Sequence, residues 1–191
     1  MNRVALFGGS FNPPHVAHQL VALYVLETCD VDELWFVPTY AHAFGKPLAP
    51  YPHRLAMCEL AIAALGPRAS VSTAEQDLAQ RPGFVSSRTL DLVDMLMETG
   101  GRSFRLIIGS DILGETDKWY RWDELVAKTQ PIVIARPGAA AAGLSNVVMP
   151  DISATKVREM LAAGDSRVDA LLPRGVLGYI AAHGLYRYDC A

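Results

Sequence analysis

The chain has 191 residues, 51% of them hydrophobic and 19% charged, with a formal net charge of −3. That length suits one domain with a substantial core, and the charge argues against the broad basic face that long nucleic acid needs. Cys29, Cys58 and Cys190 are too widely spaced for a metal motif and odd in number, which argues against a disulfide framework and fits a reducing cytoplasm.

In chain order, short apolar runs alternate with amphipathic stretches. Strands are expected at 3–8, 33–38, 70–74, 104–109, 131–135 and 146–150. Helices are expected at 16–28, 51–65, 86–99, 119–128, 154–163 and 173–183. Gly8 and Gly9 cut the first apolar run short, so it does not read as a secretory leader. No apolar run approaches the ~20 residues of a membrane span. The stretch from Pro137 to Asn146 reads as a loop. Continuous apolar strands separated by helices imply a parallel sheet covered on both faces. The expected fold is therefore α/β, a Rossmann-like doubly wound parallel sheet, as one domain over 1–191 with a small C-terminal helical lobe over 151–191. The chain reads as a cytoplasmic protein with no membrane partner and no nucleic-acid partner.

Open α/β sheets bind ligands beyond the carboxyl ends of their strands. Three segments qualify: the loop after the first strand, "GSD" at 109–111 and "ARPG" at 135–138. In the first, "GGSFNPPHVAH" (8–18), Gly8 and Gly9 are expected to make a tight turn and to let a ligand approach the backbone. Pro13 and Pro14 lead into a helix start, whose unpaired N–H groups and dipole suit phosphate. His15 and His18, three apart, share one face of the first turn. The segment lacks the Gly-Lys-Ser/Thr ending of a P-loop and is not G-x-G-x-x-G. Alone, it reads equally as a strand–helix turn with two surface histidines. Zinc is disfavoured because no third ligand lies nearby in sequence.

A second helix start, "PDISATKVREML" (150–161), offers Ser153 as N-cap and Thr155 just inside. Lys156 and Arg158 then fall in the first two turns, where cations oppose the dipole by typically ~0.3–1 kcal/mol each. An anion at that end removes the conflict, and Arg158 can fork onto phosphate oxygens. Without an anion the segment is a capped surface helix with solvated charges. Two such helix starts favour a polyphosphate.

"GGSFNPPHVAH" together with "ISATKVR" resembles the HxGH-type nucleotidyltransferase superfamily. With "GSDIL", "KWYRWDEL", "IARPG" and "LLPRGVLGYIAAHGLY", the resemblance within it is greatest to the bacterial nicotinate-nucleotide adenylyltransferases and covers nearly the whole chain. It implies adenylyl transfer from ATP to nicotinate mononucleotide, giving deamido-NAD and pyrophosphate. It implies that His15, His18 and Arg158 act catalytically on the phosphates, and that Gly8, Gly9, Ser10, Phe11, Asp111, Arg136, Ile152, Ser153 and Thr155 bind ATP. It places Trp119 against the pyridine ring, and Mg²⁺ arrives with ATP rather than in a protein cage. Two segments depart from the family strings: 37–50 lacks a "PPHK"-like stretch and 81–87 lacks "SYT". His42, Lys46 and Ser86 are the expected substitutes for acceptor binding. Ala17 stands where the family has glycine between the histidines.

Alternatives stay open at this point. A sister enzyme would adenylylate nicotinamide mononucleotide or another phosphorylated acceptor such as phosphopantetheine, and the phosphate motifs alone do not exclude CTP. A nucleotide-binding regulatory module is the rival of another class. Fold alone separates none of these, and oligomeric state is not legible.

Overall fold

The computed structural model describes residues 1–41, 48–135 and 149–187. Strands β1 (Asn2–Gly9), β2 (Glu33–Pro38), β3 (Ala69–Val71), β4 (Arg102–Gly109) and β5 (Ile132–Ile134) form one parallel sheet in the order β3-β2-β1-β4-β5. The chain steps outward from β1 to β3, then returns to β4 on the other side of β1. The β1/β4 boundary is thus the topological switch point, where the carboxyl ends of an open sheet leave a crevice.

Side chains alternate across the sheet with period two. Ala5 and Ile107 face one layer; Val4, Leu6, Leu106 and Ile108 face the other. Helices α1 (Val16–Thr28) and α2 (Tyr51–Ile62) cover the first face through Val21, Val25, Leu26 and Cys58. Helices α3 (Ala74–Ala79), α4 (Thr89–Glu98) and α5 (Trp122–Thr129) cover the second through Leu78, Leu90, Val93 and Leu125. Each fully buried aliphatic side chain of this kind is worth roughly 1.5–3 kcal/mol. A third cluster joins Met57 and Ala61 of α2 to Val157 of α6 (Ala154–Ala162) and to Val176 and Ile180 of α7 (Arg174–His183). Helix α2 is therefore wedged between the sheet and the C-terminal helices, which sets α6 beside the crevice.

Several boundaries differ from expectation. The expected strand at 70–74 ends at Val71, and α3 starts at Ala74; Ser72 closes the strand by donating its N–H to the Phe36 carbonyl at 2.8 Å. The expected helix at 119–128 starts at Trp122, because Arg121 has a left-handed backbone with φ of 52°. In the expected strand at 146–150, Met149 and Pro150 are not in a strand, and the rest lies outside the described residues, as does the expected loop at 137–146. Among the described residues no helix is long and apolar enough to cross a membrane.

Candidate active site

Two cavities open at the switch point, separated by the end of β1. The larger, about 470 Å³, is lined by Gly8, Gly9, Ser10, Phe11, His15, His18, Gly109, Ile152 and Ser153 among others. The smaller, about 380 Å³, shares Gly8, Gly9 and Ser10 and adds Thr39, Glu75, Thr89, Ile112 and Trp119. A ligand lying across both therefore passes over the backbone of residues 8–10.

The two glycines do not make the tight turn expected of them. Both belong to β1, and the turn falls on Phe11, with φ of 43°. What Gly8 provides is room: a Cβ there would meet no heavy atom within 4 Å. At Gly9 a Cβ would meet the Phe11 ring at 3.4 Å. The Phe11 side chain is buried, stacked on Phe36 with ring centroids 4.9 Å apart and presenting an edge contact to His18 at 5.0 Å.

The prolines lie just before α1, as expected. His15 is the N-cap and His18 is the third helical residue. The His15 main-chain N–H donates to His18 Nδ1 at 3.0 Å, and the rings stack with centroids 3.8 Å apart. This is the side-chain-to-cap half of a capping box, made by an imidazole instead of a carboxylate. It requires Nδ1 of His18 to be unprotonated, which makes Nε2 the donating nitrogen of that ring. His15 is buried in the cavity wall.

The start of α6 completes the larger cavity. Ser153 is its N-cap and lines the wall with Ile152. Thr155 and Arg158 lie beyond that wall and are tied together and to the first loop. Arg158 Nη1 donates to the Asn12 carbonyl at 2.8 Å, and Nη2 reaches Thr155 Oγ1 at 3.3 Å. A guanidinium 146 positions away in sequence is thus held three residues before His15.

At the smaller cavity, Trp119 follows a 3₁₀ turn at Thr116–Lys118 rather than opening a helix. It lines the smaller cavity with an edge-to-face contact to Trp122, centroids 5.7 Å apart. Ser86 does not reach that cavity: it lines a separate hollow of about 230 Å³ with Arg81, Phe84 and Arg88. Because α4 begins at Thr89, that residue rather than Ser86 lines the smaller cavity. Asp111 is exposed in the 3₁₀ turn after β4, and its neighbours Gly109 and Ile112, not Asp111 itself, line the cavities. His42, Lys46 and Arg136 lie outside the described residues.

Two features were not read from the sequence. Glu75 is the one titratable side chain lining the smaller cavity among the described residues, and it is 8% exposed. Burial pushes its carboxyl above the ordinary range, and the nearby Ser87 hydroxyl and Tyr40 backbone only partly oppose this. Arg54 is 2% exposed and donates to the Ala49 and Ser10 carbonyls at 2.9 and 3.0 Å.

A parallel sheet with two helix starts and an imidazole pair gathered at its switch point has the architecture of a nucleotidyltransferase, and the family model described as cytidylyltransferase-like matches residues 6–160. The protein named probable nicotinate-nucleotide adenylyltransferase of Anaeromyxobacter sp. (strain K) is 45% identical over 185 residues, 96% of each chain. The protein so named in Myxococcus xanthus is 38% identical over 96% of this chain and 94% of its own. The solved structure of Plasmodium falciparum nicotinic acid mononucleotide adenylyltransferase complexed with NaAD superposes with a TM-score of 0.77 at 19% identity. It covers 97% of this chain and 98% of that one, a likeness of fold. The chain belongs to the cytidylyltransferase-like family and, within it, to the nicotinate-nucleotide adenylyltransferases.

Proposed function

We propose that ATP occupies the larger cavity and nicotinate mononucleotide the smaller, and that the adenylyl group passes between them over residues 8–10. The products are deamido-NAD and pyrophosphate, a step of NAD biosynthesis. The observation that carries this reading is that the His15/His18 pair lines the larger cavity while Arg158 is bonded to Asn12 of the loop leading into that pair, next to the residues 8–10 that both cavities share.

The mononucleotide phosphate oxygen attacks the α-phosphorus of ATP in line. A new P–O bond forms as the bond from that phosphorus to the bridging α,β-oxygen breaks, and pyrophosphate leaves with the electron pair. A phosphate dianion is already a nucleophile, so no general base and no covalent enzyme intermediate are needed. The chain supplies alignment and charge stabilisation. His18 Nε2, on a ring fixed by its Nδ1 bond to the cap, donates to the α- or β-phosphate oxygens, with His15 beside it. Ser153, Thr155 and the first turn of α6 meet the outgoing phosphates, and Arg158 compensates the charge that builds on them. The Trp119 indole face meets the pyridine ring. Phe11 and Ile152 shape the walls. Asp111 is assigned to a ribose and Arg136 to phosphate charge as carried over from the family; Lys46 is assigned to phosphate charge and Ser86 to the acceptor as substitutes where the family strings are missing, and the position of Ser86 favours Thr89 for that contact.

Mg²⁺ is proposed to enter with ATP. Among the described residues no set of three or more His, Cys, Asp or Glu side chains is placed to hold a metal. Asp151 is the carboxylate that lines the larger cavity. This donor set suits a cation that keeps water and phosphate ligands. When bound, the ion supplies neutralisation of the triphosphate charge.

The test is pyrophosphate release with ATP or CTP against nicotinate mononucleotide, nicotinamide mononucleotide and phosphopantetheine. Turnover with ATP and nicotinate mononucleotide, with the dinucleotide formed one-for-one, is expected. Preference for CTP or for another acceptor contradicts the assignment.

A further inference from the structure

Asn12 is a junction of the active-site loop, and it is 2% exposed. Its carbonyl takes Arg158. Its Oδ1 accepts two bonds, from the Ala49 N–H at 3.0 Å and from the Tyr186 hydroxyl at 2.8 Å. The Ala49 carbonyl in turn accepts Arg54 Nε, and Arg54 Nη1 returns to the loop at the Ser10 carbonyl. These bonds run without a break from Ser10 through Arg54, Ala49 and Asn12 to Tyr186, joining the first strand's loop, α2 and the segment after α7.

Two members are unusual for residues with only a packing role. Arg54 carries a buried guanidinium, and among the described residues no carboxylate is within ion-pair distance of it. Its partners are carbonyl oxygens and the Tyr51 ring face at 5.3 Å. A buried charge left without a counter-charge is costly, and this one lies directly beneath the loop assigned to a polyphosphate. Tyr186 has a left-handed backbone, φ of 62°, which a bulky residue adopts only when its surroundings impose it. Burial raises its phenol well above the ordinary range, so the hydroxyl stays a donor to Asn12 throughout neutral pH.

We propose that Tyr186 and Arg54 are positioning residues for adenylyl transfer, acting through Asn12 and Ser10 to hold Arg158 in register with the histidine pair. The proposal rests on the reading above that Arg158 faces the ATP phosphates. Tyr186 touches no reacting atom; it holds the side-chain amide of Asn12, the residue whose main-chain carbonyl carries the guanidinium. The segment after α7 is thereby part of the transfer apparatus, although it lies outside both cavities.

Tyr186→Phe removes one hydroxyl and keeps the ring. It is measured in the full chain as kcat and KM for each substrate, with the unfolding midpoint alongside, in the wild-type and Arg158→Ala backgrounds. In the wild-type background kcat is expected to fall about ten-fold, within the loss of up to ~10²-fold that a misplacement near 1 Å can cause, with KM for nicotinate mononucleotide within about two-fold. In the Arg158→Ala background the same substitution is expected to change kcat by less than about two-fold, because the group it positions is gone. An equal loss in both backgrounds, an unchanged kcat, or a loss that tracks the unfolding midpoint overturns the proposal. Arg54→Lys keeps the charge but not both carbonyl bonds, and is expected to show the same dependence on Arg158; independence there overturns the Arg54 assignment alone. A wild-type chain inactive with every acceptor overturns the functional reading and this proposal together.

Discussion

The main-chain N–H of His15 and Nδ1 of His18 are 3.0 Å apart, so one histidine caps the helix that the other begins. The bond does more than close a helix end. It fixes the tautomer of His18 and the plane of its ring against Phe11, and so aims Nε2. An alanine at His18 removes both the donor and the cap. Loss of one well-aimed transition-state donor typically lowers kcat by ~10²–10³. His18→Ala is therefore expected to lose turnover on that scale in a pyrophosphate-release assay, while loss of a cap takes ~0.5–2 kcal/mol from stability. Near-normal turnover would show that the ring does not meet the reacting phosphates.

Gly8 separates fold from function in a different way. The space where a Cβ would stand is open and lies between the two cavities. Gly8→Val should fold with an unfolding midpoint close to wild type, yet raise KM for ATP and for the acceptor by about ten-fold or more, since both pass that backbone. A variant with unchanged KM values would place the ligands elsewhere.

Trp119 lines the smaller cavity, which is assigned above to the mononucleotide. Trp119→Ala is expected to raise KM for the acceptor by about ten-fold or more, as loss of an aromatic stacking partner of ~1–3 kcal/mol implies, with KM for ATP nearly unchanged. Steady-state kinetics with each substrate varied in turn checks this; a rise confined to ATP would reverse the assignment of the cavities.

Glu75 makes the fold sensitive to pH. Its carboxyl is raised by burial, so the folded chain holds a proton that the unfolded chain releases. Its contribution is complete below the ordinary carboxylate range and is lost as pH climbs through the raised value. Glu75→Gln keeps the shape and removes the titration. Its unfolding midpoint, followed by thermal melts from about pH 4 upward, should fall less steeply with pH than that of wild type. It should also be at least as high as wild type near neutrality. Parallel curves for the two proteins would mean that Glu75 does not titrate between the folded and unfolded states.

Legibility in the sequence followed the strength of the local signal. Helix α1 and strand β2 have the expected bounds, because each combines a clear apolar pattern with marked flanks. The starts of α1 and α6 were legible, since proline, histidine and N-cap serine act locally. Helix α3 was not: six residues give too little periodicity, and the preceding Val71, Ser72 and Thr73 extend the look of a strand. The start of α5 carried a usable signal in Asp123 and Glu124, acidic residues of a first turn. Arg54 and Tyr186 were silent, because each reads as an ordinary polar residue until α2 and α7 are brought against the loop. Ser86 and Thr89 differ only in where α4 begins, which sequence patterns set least well.

The central claim is that Arg158, far from the first loop in sequence, serves the outgoing phosphates of the same ATP that His18 meets. Calorimetric titration of wild type and Arg158→Ala with ATP and with AMP tests it most directly. The account predicts that the variant binds ATP about ten-fold or more weakly and binds AMP as wild type does. Equal weakening for both nucleotides, or unchanged binding of ATP, would contradict it.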